Sequence, residues 1–190
     1  MSKGINILET GRNTIRMEAA SVAALEGLLD DAFEKVVKLI FACKGRVVVS
    51  GIGKSAIIAQ KIVATFNSTG TPSIFLHAAD AIHGDLGMIQ QEDVVMIISK
   101  SGESPEIKVL VPLVKNFGNT LIAMVGNIES YLARSSDLVL NTTVSQEACP
   151  NNLAPTSSTT VMLLSPFAVT ATSSMIFVLY PALETVITYF

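Results

Sequence analysis

Five short apolar runs recur along the chain, each separated from the next by residues of helical character or by a turn. They are RVVVSG (46–51), PSIFLH (72–77), DVVMIISKSG (93–102), NTLIAMVG (119–126) and LVLNTT (138–143). Each is rich in β-branched residues and carries no polar alternation, as a strand buried on both faces requires. Between them, KSAIIAQKIVATFNSTG (54–70), SPEIKVLVPLVKNFG (104–118) and SYLARSSD (130–137) read as helices that stop at glycine or at the next strand. Alternation of strand and helix at this spacing leaves one fold class, a parallel sheet covered by helices on both faces. We therefore expect an α/β, three-layer αβα sandwich with a five-stranded parallel sheet, of the flavodoxin-like or Rossmann-like kind.

The residues before the first strand read differently. Ile15, Val22, Leu25, Leu28 and Leu29, then Phe33, Val36, Val37 and Ile40, recur at spacings of three and four. Helix is predicted from about Thr14 to Cys43, with Gly27 or Asp30–Asp31 dividing it and Lys44–Gly45 closing it. Residues 1–44 form a helical segment and residues 45–190 a binding domain, one domain overall. A further capped helix is expected after Pro155.

Apolar residues make up 49% of the 190 and charged residues only 15%. So apolar a surface is expected to be buried in part against further copies of the chain. A net charge of −3 supplies no basic face and argues against nucleic acid. Cys43 and Cys149 cannot build a disulfide framework, and the start MSKGINILETGRN lacks the apolar core of a signal peptide. A cytoplasmic location is the expectation. The end, FAVTATSSMIFVLYPALETVITYF, is long and apolar, but Thr170, Thr172, Ser173, Ser174 and Pro181 interrupt it and no Lys or Arg flanks it. It reads as a helix buried at a subunit interface, with no membrane partner.

Ligands of such sheets bind beyond the carboxyl ends of the strands, where the strand order reverses. The first such turn is SGIGKSA, Ser50 to Ala56. A nucleotide-hydrolase phosphate loop needs glycine where Val48 stands, inside the strand, so that reading fails. The dinucleotide pattern G-x-G-x-x-A fits, but the second strand ends at Leu76–His77 without the acidic residue a ribose requires. An NAD-dependent oxidoreductase remains the weaker alternative. The second turn, SKSGESPE, opens another helix, and PTSSTT puts five hydroxyls, Thr156 to Thr160, at a third helix start. Ser104 followed by Pro105 is also ordinary capping chemistry. Taken together, the hydroxyl-rich turns suit a small phosphorylated ligand held by neutral donors and helix N-termini, without a cofactor.

These stretches resemble the sugar isomerase (SIS) domain family, and within it the bacterial arabinose-5-phosphate isomerases. The resemblance rests on SGIGKSAIIAQKIVATFNSTGTPSIFLHAADAIHGDLGMI, SKSGES and EACPNNLAPTSSTT, and runs from about Arg46 to Leu163. It implies a five-stranded parallel sheet, a homotetramer, and interconversion of ribulose 5-phosphate and arabinose 5-phosphate on the way to the sugar acid Kdo. It places Lys54, His83, Glu103 and Glu147 in the active site. It gives the substrate phosphate to Ser50, Gly51, Ser55, Ser99, Ser101, Gly102, Ser104, Thr156, Ser157, Ser158 and Thr159. It requires no metal, but associates the position of His77 with an inhibitory one. The chemistry asks for such groups: a base of tuned pKa, an oxyanion partner and a proton shuttle. Glu103 and Glu147 are the candidate bases, in stretches where burial is expected to raise the carboxyl pKa. Lys54 suits the enediolate or the phosphate, and His83 proton transfer. The family's Gly-Asp-Ala-Leu run and histidine-proline-glycine-glycine motif do not occur here, and no histidine follows His83. A non-catalytic SIS sensor that binds a sugar phosphate or an activated sugar is the second reading.

Overall fold

A computed structural model describes residues 6–149, 156–158 and 160–162. Its centre is a five-stranded, all-parallel sheet of order β2-β1-β3-β4-β5, comprising β1 (Val47–Gly51), β2 (Ser73–His77), β3 (Val94–Ser99), β4 (Leu121–Val125) and β5 (Leu138–Asn141). All five strands fall within the apolar runs. The α/β sandwich expected from the sequence is the fold.

Successive residues of a strand point to opposite faces, so each strand feeds two cores. Val47, Val49, Met96, Ile98, Ile122, Met124 and Leu140 pack against α2 (Asp31–Ala42) and α3 (Lys54–Ser68). Val48, Val95, Ile97, Leu121, Ala123 and Val125 pack against α4 (Ala78–Ala81), α5 (Pro105–Asn116) and α6 (Tyr131–Ser135). Met96 and Ile97 are both fully buried, one on each face, and each stabilises the fold by roughly 2–3 kcal/mol.

The N-terminal helix divides as expected. Helix α1 (Ile7–Ala24) runs into a 3₁₀ turn at Leu25–Leu28 before α2 begins. It starts seven residues before the predicted Thr14, because the Asn6 side chain accepts the Glu9 N–H and caps it there. Asp30 caps α2 in the same way, accepting the N–H groups of Ala32 and Phe33. The α2 residues Val36, Val37 and Ile40 are buried in the core, whereas α1 buries no residue among those described.

The two ends of the sheet have different chemistry. At the amino end, Asp93 accepts from Arg46 N, Nε and Nη2 and from Gln90 N, and Asn119 donates to Gln90 O and Asp93 O. Burial pushes the Asp93 carboxyl up, but Arg46 and the backbone donors hold it below the ordinary aspartate value. This network ties β1 to β3. The carboxyl end carries serine, glycine and lysine instead. The apolar segment beyond residue 162 and Thr159 lie outside the described residues.

Candidate active site

The strand order reverses between β1 and β3, and the turns that follow these two strands lie side by side. Gly51 ends β1 because a Cβ there would sit 2.9 Å from the Ser55 backbone. Its absence lets α3 start directly against the strand. Gly102 is required twice over, by φ of +65° and because a Cβ would lie 2.1 Å from Ser130 Oγ. It lets the SGES turn close on α6, where Leu132 N–H donates to Gly102 O at 3.1 Å.

Two recesses open at this end of the sheet, and Ser55, Lys100 and Gly126 line both. One continues along Ile52, Ser99, Ser101, Ser104 and Asn127. Ser104 stands at the N-cap of α5 but makes no side-chain capping bond, so its hydroxyl is not spent on the helix. With Pro105 next, the first-turn N–H groups of α5 and this hydroxyl are disposed for an anion. Ser99 Oγ accepts the Gly102 N–H at 3.0 Å and Ser101 Oγ the Glu103 N–H at 3.3 Å, which shapes the turn. The other recess reaches Thr142, Val144, Ser157 and Ser158.

Glu147 stands behind this second recess. Its side chain is 1% exposed. Lys100 Nζ donates to Oε1 at 2.6 Å and the Ser157 N–H to Oε2 at 3.3 Å. Burial pushes the Glu147 carboxyl up, but Lys100 and Ser157 outweigh it and hold the group below the ordinary glutamate value. The expectation that burial raises it is therefore corrected. A charge partner 47 residues away reverses the sign.

Glu103 is also held low, for another reason. It is exposed, its Oε2 lies 2.7 Å from Lys108 Nζ, and its Oε1 accepts the Tyr131 N–H at 2.6 Å. Expected as a buried base, it fastens the SGES turn to α5 and α6. Lys54 is exposed on the first turn of α3 and lines neither recess. His83 is exposed after α4, with its backbone N–H donating to Asp80 O. His77 Nδ1 lies 3.6 Å from Asp80 Oδ2, and no group of three metal-ligating side chains forms among the described residues. Ser50 is fully buried in β1, and its hydroxyl has no hydrogen-bond partner among the described residues. Thr156 Oγ1 donates to Glu18 Oε1 at 2.6 Å and accepts the Ala148 N–H. Its hydroxyl is thus engaged within the protein.

The geometry brings together Ser55, Ser99, Ser101, Ser104, Ser157, Ser158 and Glu147, and adds Lys100, Gly126, Asn127 and Thr142, which sequence reasoning did not single out. Lys100 sits inside the SKSGES motif, between two candidate serines. The rule that residues after a strand bind ligand covers it, but its pairing with Glu147 left no local signal.

A model of the SIS domain matches residues 40–171. The arabinose 5-phosphate isomerase KdsD of Pseudomonas aeruginosa is 51% identical over 164 residues, covering 86% of this chain and 50% of that protein. KdsD of Escherichia coli K12 is 45% identical over 164 residues, with the same coverage of 86% and 50%. Among solved structures, the E. coli CFT073 protein c3406, in complex with arabinose 5-phosphate, superposes with a TM-score of 0.81 at 38% identity. That match covers 95% of this chain and 99% of that one. The chain spans about half the length of the curated relatives it matches. Sheet order, the hydroxyl-lined cleft and these matches agree: the chain belongs to the SIS domain family.

Proposed function

We propose that the cleft isomerises a five-carbon sugar phosphate, interconverting ribulose 5-phosphate and arabinose 5-phosphate through an enediolate. The observation that carries this reading is a desolvated, ionised carboxylate, Glu147, bonded to two residues that line a hydroxyl-rich recess. An ionised carboxylate is ready to take a proton from the carbon beside the carbonyl, and returns it to the adjacent carbon. Ser55, Ser101, Ser104 and the start of α5 receive the phosphate. Lys54, one residue before Ser55, and His83 line neither described recess, and it is the family resemblance that assigns them the developing oxyanion and the hydroxyl protons. The name of the P. aeruginosa relative and the sugar phosphate in the E. coli complex support the substrate.

The working form is proposed to be a homotetramer in the cytoplasm. The apolar, exposed Ile7, Leu8 and Ile15 of α1 and the free thiols of Cys43 and Cys149 support this. Among the described residues no helix is long and apolar enough to cross a membrane. Turnover of ribulose 5-phosphate to arabinose 5-phosphate tests the reaction. Activity is expected in the wild type and its loss in Glu147→Gln. No turnover by the wild type, or equal turnover by Glu147→Gln, removes the catalytic claim. Binding of the sugar phosphate without any turnover would favour a sensor.

A further inference from the structure

Lys100 is the one charged residue among the described residues that line either recess. Its ammonium has three donors, and the described structure commits one, to Glu147 Oε1. The side chain is 53% exposed while its carboxylate partner is 1% exposed, so the cation faces both ways. A phosphate in the first recess would sit among neutral donors, Ser55, Ser101, Ser104 and Asn127, with Lys100 as the adjacent lining charge among the described residues.

We propose that Lys100 is a bridging cation that pins Glu147 before the ligand binds and transfers to the phosphate when it arrives, freeing Glu147 Oε1 for proton transfer. The proposal rests on the reading that this cleft takes a sugar phosphate. Two acceptors then compete for one ammonium, and the dianion, reached from the open side, is the stronger partner. The released carboxylate keeps the Ser157 N–H and its burial, so it becomes more basic as the substrate enters. The charged group bonded to it among the described residues is Lys100 after β3, and Glu18 of α1 bonds Thr156 beside Ser157.

The test follows the Glu147 carboxyl carbon by NMR in the full chain labelled at glutamate, assigned with Glu147→Gln, over a pH series with and without inorganic phosphate. In the wild type, saturating phosphate is expected to move the Glu147 midpoint upward. In Lys100→Met the midpoint starts higher, phosphate moves it no further, and phosphate binds about tenfold more weakly, the equivalent of one charge-assisted bond. A wild-type midpoint unmoved by bound phosphate, or Lys100→Met binding phosphate as tightly as wild type, overturns the proposal and leaves the sugar-phosphate reading standing. Failure of the wild type to bind either inorganic phosphate or arabinose 5-phosphate overturns both. Should Lys100→Met not fold, Lys100→Gln, which keeps a donor without the charge, carries the affinity arm.

Discussion

Removing one partner of the Lys100–Glu147 pair should cost unequally, depending on which is removed. The two groups are 2.6 Å apart, but Glu147 is 1% exposed and Lys100 53%. Lys100→Met leaves a buried carboxylate held, among the described residues, by Ser157 alone, whose N–H lies 3.3 Å from Oε2. Stranding a fully buried charge costs about 3–5 kcal/mol, and half-exposure of the lost lysine discounts this to about 2–3 kcal/mol. Glu147→Gln instead frees a lysine that can rehydrate and leaves an oxygen for the Ser157 N–H, so its cost is about 1 kcal/mol. Urea unfolding at pH 7, with m-values compared, measures both. The sign with pH follows. In the wild type the carboxyl is held low, so the pair's contribution is full above the unfolded glutamate pKa and is lost as pH falls through the lower folded value. In Lys100→Met the lysine's part of the opposition is gone, burial is countered only by Ser157, and the carboxyl rises. Its penalty should therefore shrink as pH falls and the stranded group takes up a proton. Equal costs at pH 7, or a greater cost for Glu147→Gln, would show that Glu147 is not a desolvated anion.

Ser104→Ala should change stability by less than about 0.5 kcal/mol, because Ser104 makes no capping bond, yet weaken arabinose 5-phosphate binding in calorimetry. A stability loss without a binding loss would return Ser104 to an ordinary cap. Gly102→Ala should cost about 2–3 kcal/mol in urea, from the left-handed backbone and the overlap with Ser130 Oγ, with Ser130→Gly recovering only the overlap. Asp93→Ala should cost about 3 kcal/mol by removing four bonds at the far end of the sheet, without changing ligand affinity. Since the Asp93 carboxyl is held low, its contribution is present above the unfolded aspartate pKa and should fade below about pH 4, which thermal melts across pH 3–6 would register.

The strands were legible because burial on both faces writes a continuous apolar run, and β1 to β5 lie inside the five runs named from sequence. The start of α1 was not, because Asn6 capping overrides a weak apolar pattern. The serines of the cleft could be found from their place after strands. The roles of the charges could not, since each depends on a partner distant in sequence. Glu103 has the sequence context of a base, but Tyr131 N–H and Lys108 hold it, and Lys100 is incidental in sequence until the fold sets Glu147 beside it. Short- and medium-range pattern gives position, whereas ionisation is set by contacts that only the fold brings together.

The most direct test follows arabinose 5-phosphate and the wild-type chain by NMR in D₂O. Conversion to ribulose 5-phosphate is expected, with solvent deuterium entering at the carbons that exchange the proton, and a fall of about a thousandfold in Glu147→Gln, the scale of a lost general base. Intact arabinose 5-phosphate with no deuterium uptake, or uptake at the same rate in Glu147→Gln, would contradict it.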